Sequence, residues 1–293
     1  MPASTKVKTF SGDASLVEEV NCAFCKSDQK QTVLEKNLLR IVICKKCGLW
    51  YTDRRWNSEG IKRYYQEAYF TGGVDGAFKN YIAETEEKLI DFKLKYQQLK
   101  PFKEFGTLLD VGCATGVSLL AAVELGYEPE GLELSEWAVK NNPTSFTIHN
   151  TLLTDFQTSN TYDVISMWDV IEHFSDPDAV FQKLNDLLKP NGFVIFTYPN
   201  PSSWPAKLMG KRWWVLVPDE HLFFYPESLL IEWIGRFGFR CVSHPNEARY
   251  LTLGKLMQKL IPPFEGLLKA LRIDKRIIKI TLPYKNAAIF QKV

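Results

Sequence analysis

The chain has 293 residues, 45% of them hydrophobic and 24% charged, with 36 Lys or Arg against 34 Asp or Glu. This composition excludes wholesale disorder and low-complexity structure, and the length is enough to bury a core without disulfide staples. No apolar run approaches the ~18 residues of a membrane span, and the opening MPASTKVKTFSGDASLVEEV has no apolar leader segment, so a cytoplasmic location is expected. The small net charge hides an asymmetry. From Arg249 to Val293 ten Lys or Arg face two acids, an excess of eight, and residues 1–248 carry the balance of −6. A basic end attracts nucleic acid, an anionic membrane surface or a phosphorylated substrate, or is a solvated face with no partner.

In chain order, a tail over 1–19 leads to two paired cysteines, Cys22 and Cys25, and then to a second pair, Cys44 and Cys47. Each C-x2-C turn presents two thiolates to one ion, and two such turns complete a tetrahedron, so the spacing predicts a structural Zn2+ site. Two disulfides or idle thiols are the other reading, and disulfides are disfavoured in a reducing compartment. The intervening QTVLEKNLLRIVI alternates with period two and reads as a hairpin, which makes residues 20–55 a zinc ribbon. Cys113 and Cys241 are left over and read as small buried residues. Residues 56–104 read as a linker with Gly72, Gly73 and Gly76 as turn signals, then a helix from about Ala77 to Leu99 closed by Pro101.

From Thr107 short apolar strands alternate with helices. TLLDVG, EPEGLELS, SFTIHN, YDVISMWD, FVIFTYPN, RCVSHP and KNAAIFQK read as strands; CATGVSLLAAVELG, SEWAVKNN, DPDAVFQKLNDLLKPNG and SLLIEWIGRFGF read as helices. The expected fold class is α/β, a Rossmann-like doubly wound and mostly parallel sheet over 105–293, preceded by the small ribbon. Two insertions interrupt it, at about 201–225 and 250–278, the second reading as helical. Ligands of such sheets sit at the carboxyl ends of the strands. After the first strand stand Asp110, Gly112, Cys113, Ala114 and Gly116, and after the second stands Glu133, an acid suited to both hydroxyls of a ribose. The G-x-G-x-x-G dinucleotide pattern is absent. Taken alone, the Gly-rich turn is as well explained by a structural strand-to-helix turn.

LLDVGCATG, LELS, YDVISMWDVIEH and LLKPNGFVIFTYPN together resemble the motifs of the class I S-adenosylmethionine-dependent methyltransferases, over roughly Phe105 to Arg240. Ala114 stands where that family often has glycine. The resemblance implies that Gly112, Cys113, Ala114 and Gly116 pack on the methionine and ribose part of S-adenosylmethionine. It implies that Glu133 holds the ribose with Leu134 beside the adenine, that Thr151 and Leu152 lie near the adenine amine, and that Trp168 lies near the methionine end. With its zinc ribbon, the chain further resembles methyltransferases of bacterial nucleotide-sugar and polysaccharide synthesis. Pro218-Asp219-Glu220-His221 is similar to an acid–histidine pair of sugar C-methyltransferases. Those enzymes tend to have tyrosine at the position of Pro218 and carry a longer C-terminal domain, so the resemblance does not fix C-methylation.

A hydroxyl or carbon-acid acceptor needs a base, and there are four histidines. His221 is the first choice, with Glu220 orienting it or acting alongside; the plainer reading is that Glu220-His221 caps the helix starting near Pro226. His173 is a second base, or with Glu172 a cation ligand as in quinone-type O-methyltransferases, or packs beside the cofactor. His149 and His244 read as structural. Lys207, Lys211 and Arg212, with Trp204, Trp213 and Trp214, suit a diphosphate and a stacked sugar or base, or form a hydrophobic flap. The insertion near 250–276 separates leucines from lysines and suits a membrane surface, or a helix packed on its own domain or a partner subunit. The function expected first is methylation of a nucleotide sugar or glycan precursor. The alternative is O-methylation of a lipid or quinone acceptor at a membrane surface, and the third is a non-catalytic ribbon-based binding protein. No nucleic-acid partner is expected, because the ribbon is not strongly basic.

Overall fold

The structure, a computed structural model, describes residues 13–61, 85–143, 145–252 and 277–293. Two sheets organise it. The first is antiparallel and built from β1 (Val17–Glu19), β2 (Lys30–Lys36), β3 (Leu39–Cys44) and β4 (Trp50–Trp56), in the order β1-β4-β3-β2. Its hairpin turns at Asn37, which takes the left-handed conformation that tight two-residue turns demand. Strands β3 and β4 are buried on both faces, and Asp53 of β4 is fully buried. Burial alone would raise its pKa. Arg40 Nε (2.9 Å) and Nη2 (2.6 Å) and Lys30 Nζ (2.6 Å) outweigh that cost and hold the carboxyl below its ordinary value.

The second sheet carries the α/β alternation. After α1 (Thr85–Gln97) come β5 (Gly106–Val111), α2 (Val117–Glu124), β6 (Tyr127–Leu132), α3 (Glu136–Lys140), β7 (Ile148–His149), β8 (Tyr162–Met167), α4 (Pro177–Leu187) and β9 (Leu188–Pro199). The insertion then supplies α5 (Trp204–Met209) and β10 (Phe223–Phe224), followed by α6 (Glu227–Gly235), β11 (Phe239–Ser243), β12 (Asn246–Thr252) and β13 (Ile277–Lys292). The strand order is β11-β13-β9-β8-β5-β6-β7; β5 to β9 run parallel and β13 lies antiparallel between β9 and β11. The order reverses between β5 and β8, so their carboxyl ends form the switch-point crevice. Local chemistry sets the helix starts. Asp176 accepts from the amide of Ala179 with Pro177 in the first turn of α4, and Ser135 accepts from the amide of Ala138 at α3.

Three sequence expectations shift. Part of the supposed tail, Val17–Glu19, is the edge strand of the ribbon sheet. The second insertion does not open as a helix: Tyr250–Thr252 belong to β12, which pairs antiparallel with the first half of β13, while 253–276 lie outside the described residues, as do the turn glycines at 72–76. Backbone pairing with β13 decides that strand, and the leucine–lysine periodicity gave no sign of it. Finally, the ribbon is not a separate bead. Strand β10, from the 201–225 insertion, pairs with β4 of the ribbon (Phe223↔Tyr51, Phe224↔Trp50), and one buried cluster runs from Cys22, Cys44, Leu49 and Tyr51 to Leu222, Tyr225 and the β8–β9 core. No helix among the described residues is long and apolar enough to cross a membrane.

Candidate functional site

A cleft of about 510 Å³ opens at the carboxyl ends of β5, β6 and β8. Gly112, Glu133, Leu134, Thr151, Leu152 and His173 line it, together with Val170 and Asp176. Gly112 is required by space and by backbone: its φ is +74°, and a Cβ there would stand 2.6 Å from Val170 Cγ2. Glu133 shapes the loop it faces. One carboxylate oxygen accepts the amide of Ala114 (2.9 Å) and the other the amide of Ser135 (2.8 Å). Ala114 itself is left-handed, with φ +49°, so the carboxylate holds a strained non-glycine residue in place.

Five of the expected cofactor contacts, Asp110, Cys113, Ala114, Gly116 and Trp168, do not line the cleft. Asp110 is fully buried and accepts from Ser118 and from Ser166 Oγ (2.5 Å). Burial raises its pKa to about 6 despite those hydrogen bonds. The Ser166 hydroxyl is thereby committed, so Tyr96 donates to Ser166 (3.0 Å) and Trp168 Nε1 donates to Tyr96 (3.3 Å). Trp168 continues the period-two alternation of β8 onto the face that α1 covers, which turns it away from the cleft. Cys113 is buried against Gly131, and Gly116 serves as the N-cap of α2 with φ +86°.

Next to the cleft stand two histidines. His173 ends the short 3-10 turn Ile171–His173 after β8, and its ring meets that of His221 edge-on, 5.0 Å between centroids. Each Nδ1 faces a backbone carbonyl: His173 that of Glu220 (2.9 Å), His221 that of Val215 (2.8 Å). A carbonyl only accepts, so both Nδ1 atoms carry the proton and Nε2 is the basic nitrogen of each neutral ring. Glu220 thus contributes its carbonyl to His173. Helix α6 begins at Glu227, and its N-cap position is Pro226, five residues beyond His221. Glu172 is fully buried, and Glu172, His173 and His221 each offer a ligand atom within 4.8 Å of the others.

The second cluster is the ribbon's. Cys22 and Cys47 sulfurs lie 3.5 Å apart and Cys25 and Cys44 sulfurs 3.4 Å apart, no disulfide joins them, and all four gather within 4.8 Å. A Zn2+ with Zn–S bonds of ~2.3 Å sets sulfurs about 3.8 Å apart, so the donor set fits that ion. The two turns are congruent. Lys26 N donates to Cys22 O and Gly48 N to Cys44 O, and both Lys26 (φ +60°) and Gly48 (φ +80°) are left-handed. Burial pushes the Cys22 thiol up to about 11, whereas amides of Cys47 and Lys46 bring Cys44 down to about 7 against its own burial. The remaining expected residues fall elsewhere. Trp213 is buried against Phe224 and the ribbon, while Trp204, Trp214, Lys207, Lys211 and Arg212 face solvent. His149 pairs with Glu130 (3.1 Å), and His244 lies beside Cys241 (3.0 Å).

This strand order, with its switch-point cleft and antiparallel β13, is that of the Rossmann-like class I S-adenosylmethionine-dependent methyltransferase fold. A structure described as an S-adenosylmethionine-dependent methyltransferase and possible histamine N-methyltransferase, from Thermotoga maritima, shares the fold with TM-score 0.51 at 15% identity, over 77% of this chain and 100% of that one. Residues 81–244 match the family model of the methyltransferase domain, and the chain belongs to that family. It is similar to the ubiquinone biosynthesis O-methyltransferase of Colwellia psychrerythraea, 28% identical over 154 residues, 46% of this chain and 61% of that protein. It is 27% identical over 171 residues to the protein of the same name from Actinobacillus pleuropneumoniae, 51% of this chain and 72% of that one. The matched part thus spans less than two thirds of the Colwellia protein.

Proposed function

We propose that the chain transfers a methyl group from S-adenosylmethionine to a hydroxyl of a small acceptor, with an aromatic or quinol-type acceptor first. The observation that carries this reading is the shared wall: His173 lines the same cleft as Gly112 and Glu133, with His221 edge-on behind it. The sulfonium methyl of the bound donor is already activated, so the protein mainly aligns and desolvates the partners. Glu133 accepts from the ribose hydroxyls while its backbone contacts keep the loop open, and Leu134, Thr151 and Leu152 flank the adenine. As the acceptor oxygen bonds to the methyl carbon and the carbon–sulfur bond breaks, Nε2 of His221 or His173 takes the hydroxyl proton. A second reading uses the same Nε2 atoms differently: Glu172, His173 and His221 are a donor set suited to a divalent cation, which would occupy both Nε2 atoms and lower the pKa of an acceptor hydroxyl in place of a histidine base. The four ribbon cysteines hold a structural Zn2+, with no position left for a catalytic water.

The names of the relatives support a quinone-type acceptor over the nucleotide sugar expected first. The burial of Trp213, one of the side chains suited to stacking on a sugar or base, agrees with them. The test is methyl incorporation from isotopically labelled donor into a panel of catechols, hydroxylated quinols and nucleotide sugars, read by mass spectrometry. Labelling of phenolic hydroxyls is the expected result. Labelling of nucleotide sugars alone would overturn the acceptor class, and failure to bind S-adenosylhomocysteine would overturn the transferase reading.

A further inference from the structure

We propose that the ribbon is the positioning element of the acceptor side of the site, and that Thr52 is the residue through which it holds His221; this rests on the reading of His221 given above. Thr52 is buried in β4 and makes two hydrogen bonds to the insertion: Oγ1 donates to the carbonyl of His221 (2.7 Å) and the amide donates to the carbonyl of Leu222 (2.9 Å). The amide of the same peptide, Leu222 N, donates to Glu172 O in the turn after β8 (2.8 Å), and three residues on Tyr225 N donates to Pro199 O of β9 (2.9 Å). The His221 backbone is therefore clamped between a ribbon strand and the turn that carries Glu172 and His173.

The imidazole is held by a second route that also ends in the ribbon. Its Nδ1 donates to the carbonyl of Val215, and Val215 packs with Leu216, Trp213 and Phe224 against Val33 and Ile41 of β2 and β3. Lys36 at the end of β2 pairs with Asp219 (3.0 Å), two residues before His221. Strand β4 in turn starts from the second cysteine turn, where Cys44 N donates to Leu49 O (2.8 Å). The cofactor side is built differently: Gly112, Ala114 and Glu133 are fixed by β5, β6 and each other. A side chain whose own carbonyl accepts from Thr52, and whose ring donates to a carbonyl packed on the ribbon, loses its pose when the Thr52 donor is removed, while the cofactor half of the site, framed by other strands, does not.

The experiment uses the full chain saturated with S-adenosylhomocysteine, with histidine ring carbons labelled with carbon-13. Four histidines give four Cε1 signals to follow, and His221→Gln assigns one of them. Thr52→Val removes the hydroxyl donor at nearly constant volume and Thr52→Ser keeps it. The expected outcome is a displaced and broadened His221 signal in Thr52→Val, an undisturbed one in Thr52→Ser, unmoved His149 and His244 signals, and unchanged affinity for S-adenosylhomocysteine by calorimetry. If Thr52→Val does not fold, Ile41→Val, which trims one methylene beneath Phe224, is expected to displace the same signal. An unmoved His221 signal in the folded variants overturns the proposal. So does Thr52→Ser behaving like Thr52→Val, or cofactor affinity falling along with the signal change. None of these readouts depends on turnover, so retained activity in His221→Ala would remove His221 as base and leave the positioning result standing.

Discussion

Glu133 carries two duties on one side chain, and its substitution separates them from simple surface charge. Both of its oxygens already accept backbone amides, of Ala114 and Ser135, and the residue lines the cleft. Glu133→Ala is expected to weaken S-adenosylhomocysteine binding about tenfold or more, because hydrogen bonds to an ionised acceptor are lost and the loop is released. Calorimetry checks this, and unchanged affinity would move the ribose elsewhere. His221→Ala is expected to keep that binding while kcat falls about a hundredfold or more. Equal kcat in variant and parent would leave His173 as the base. Asp110 offers a pH prediction with a definite sign. Its folded pKa, about 6, lies above its ordinary value of 3.8, so the folded state binds this proton more tightly than the unfolded chain. The stabilisation is complete below about pH 4 and is lost as pH rises to about 6, by up to about 3 kcal/mol. Asp110→Asn is expected to abolish that part of the pH dependence in urea titrations run between pH 4 and 7. Parallel curves for the two proteins would show that burial does not hold the proton.

At the scale of elements, the two cysteine turns and the strands they launch form one unit. Each turn supplies two sulfurs, backbone amides toward them and a left-handed residue that closes the loop. Removal of one ligand leaves three thiols around a site that needs four. Cys47→Ser is expected to reduce bound zinc from equimolar to a small fraction, measured by plasma mass spectrometry, and to lower Tm, since metal binding in such units is folding free energy. Full zinc retention would show that the cysteines serve another chemistry. The insertion between β9 and α6 behaves as an element of both domains. Its Trp213 and Phe224 side chains are committed to the ribbon, its Trp204 and Trp214 to solvent, and its His221 to the neighbourhood of the cleft.

Across the whole molecule, backbone pairing and a shared core join the ribbon to the transferase part of the chain. Strand β10 is contributed by one and paired by the other, and Cys22, Cys44 and Tyr51 pack in the same cluster as Leu222, Tyr225 and Trp233. Calorimetry is expected to give one thermal transition, shifted upward as a whole by S-adenosylhomocysteine, because a ligand that binds only the native state stabilises everything that unfolds with it. Two transitions, only one of them ligand-sensitive, would contradict the coupling. Deletion of residues 1–56 is expected to leave Leu222, Phe223 and Phe224 uncovered and the remainder aggregating.

Elements whose signals are local can be read from neighbouring residues alone. Alternating strands and helices, the C-x2-C spacing and the glycine–acid pair at 112 and 133 were legible because period, turn chemistry and ligand spacing are written in neighbouring residues. The cleft-lining places of Gly112 and Glu133 follow from the same logic, since they sit where strands end, whereas those of Leu134, Thr151 and Leu152 are implied only by the resemblance to the methyltransferase family. What lay beyond it depends on which distant segments meet. Asp110 and Trp168 belong to a buried network closed by Tyr96 of α1, some seventy residues from Ser166 and Trp168, and no local pattern announces that closure. Strand β12 is decided by its partner β13, across more than twenty intervening residues. The grip of Thr52 on the His221 peptide joins positions 169 residues apart. Backbone hydrogen bonds between distant strands require no particular side chain, so the sequence carries little trace of them, and only the folded chain decides which histidine the ribbon holds against the cleft.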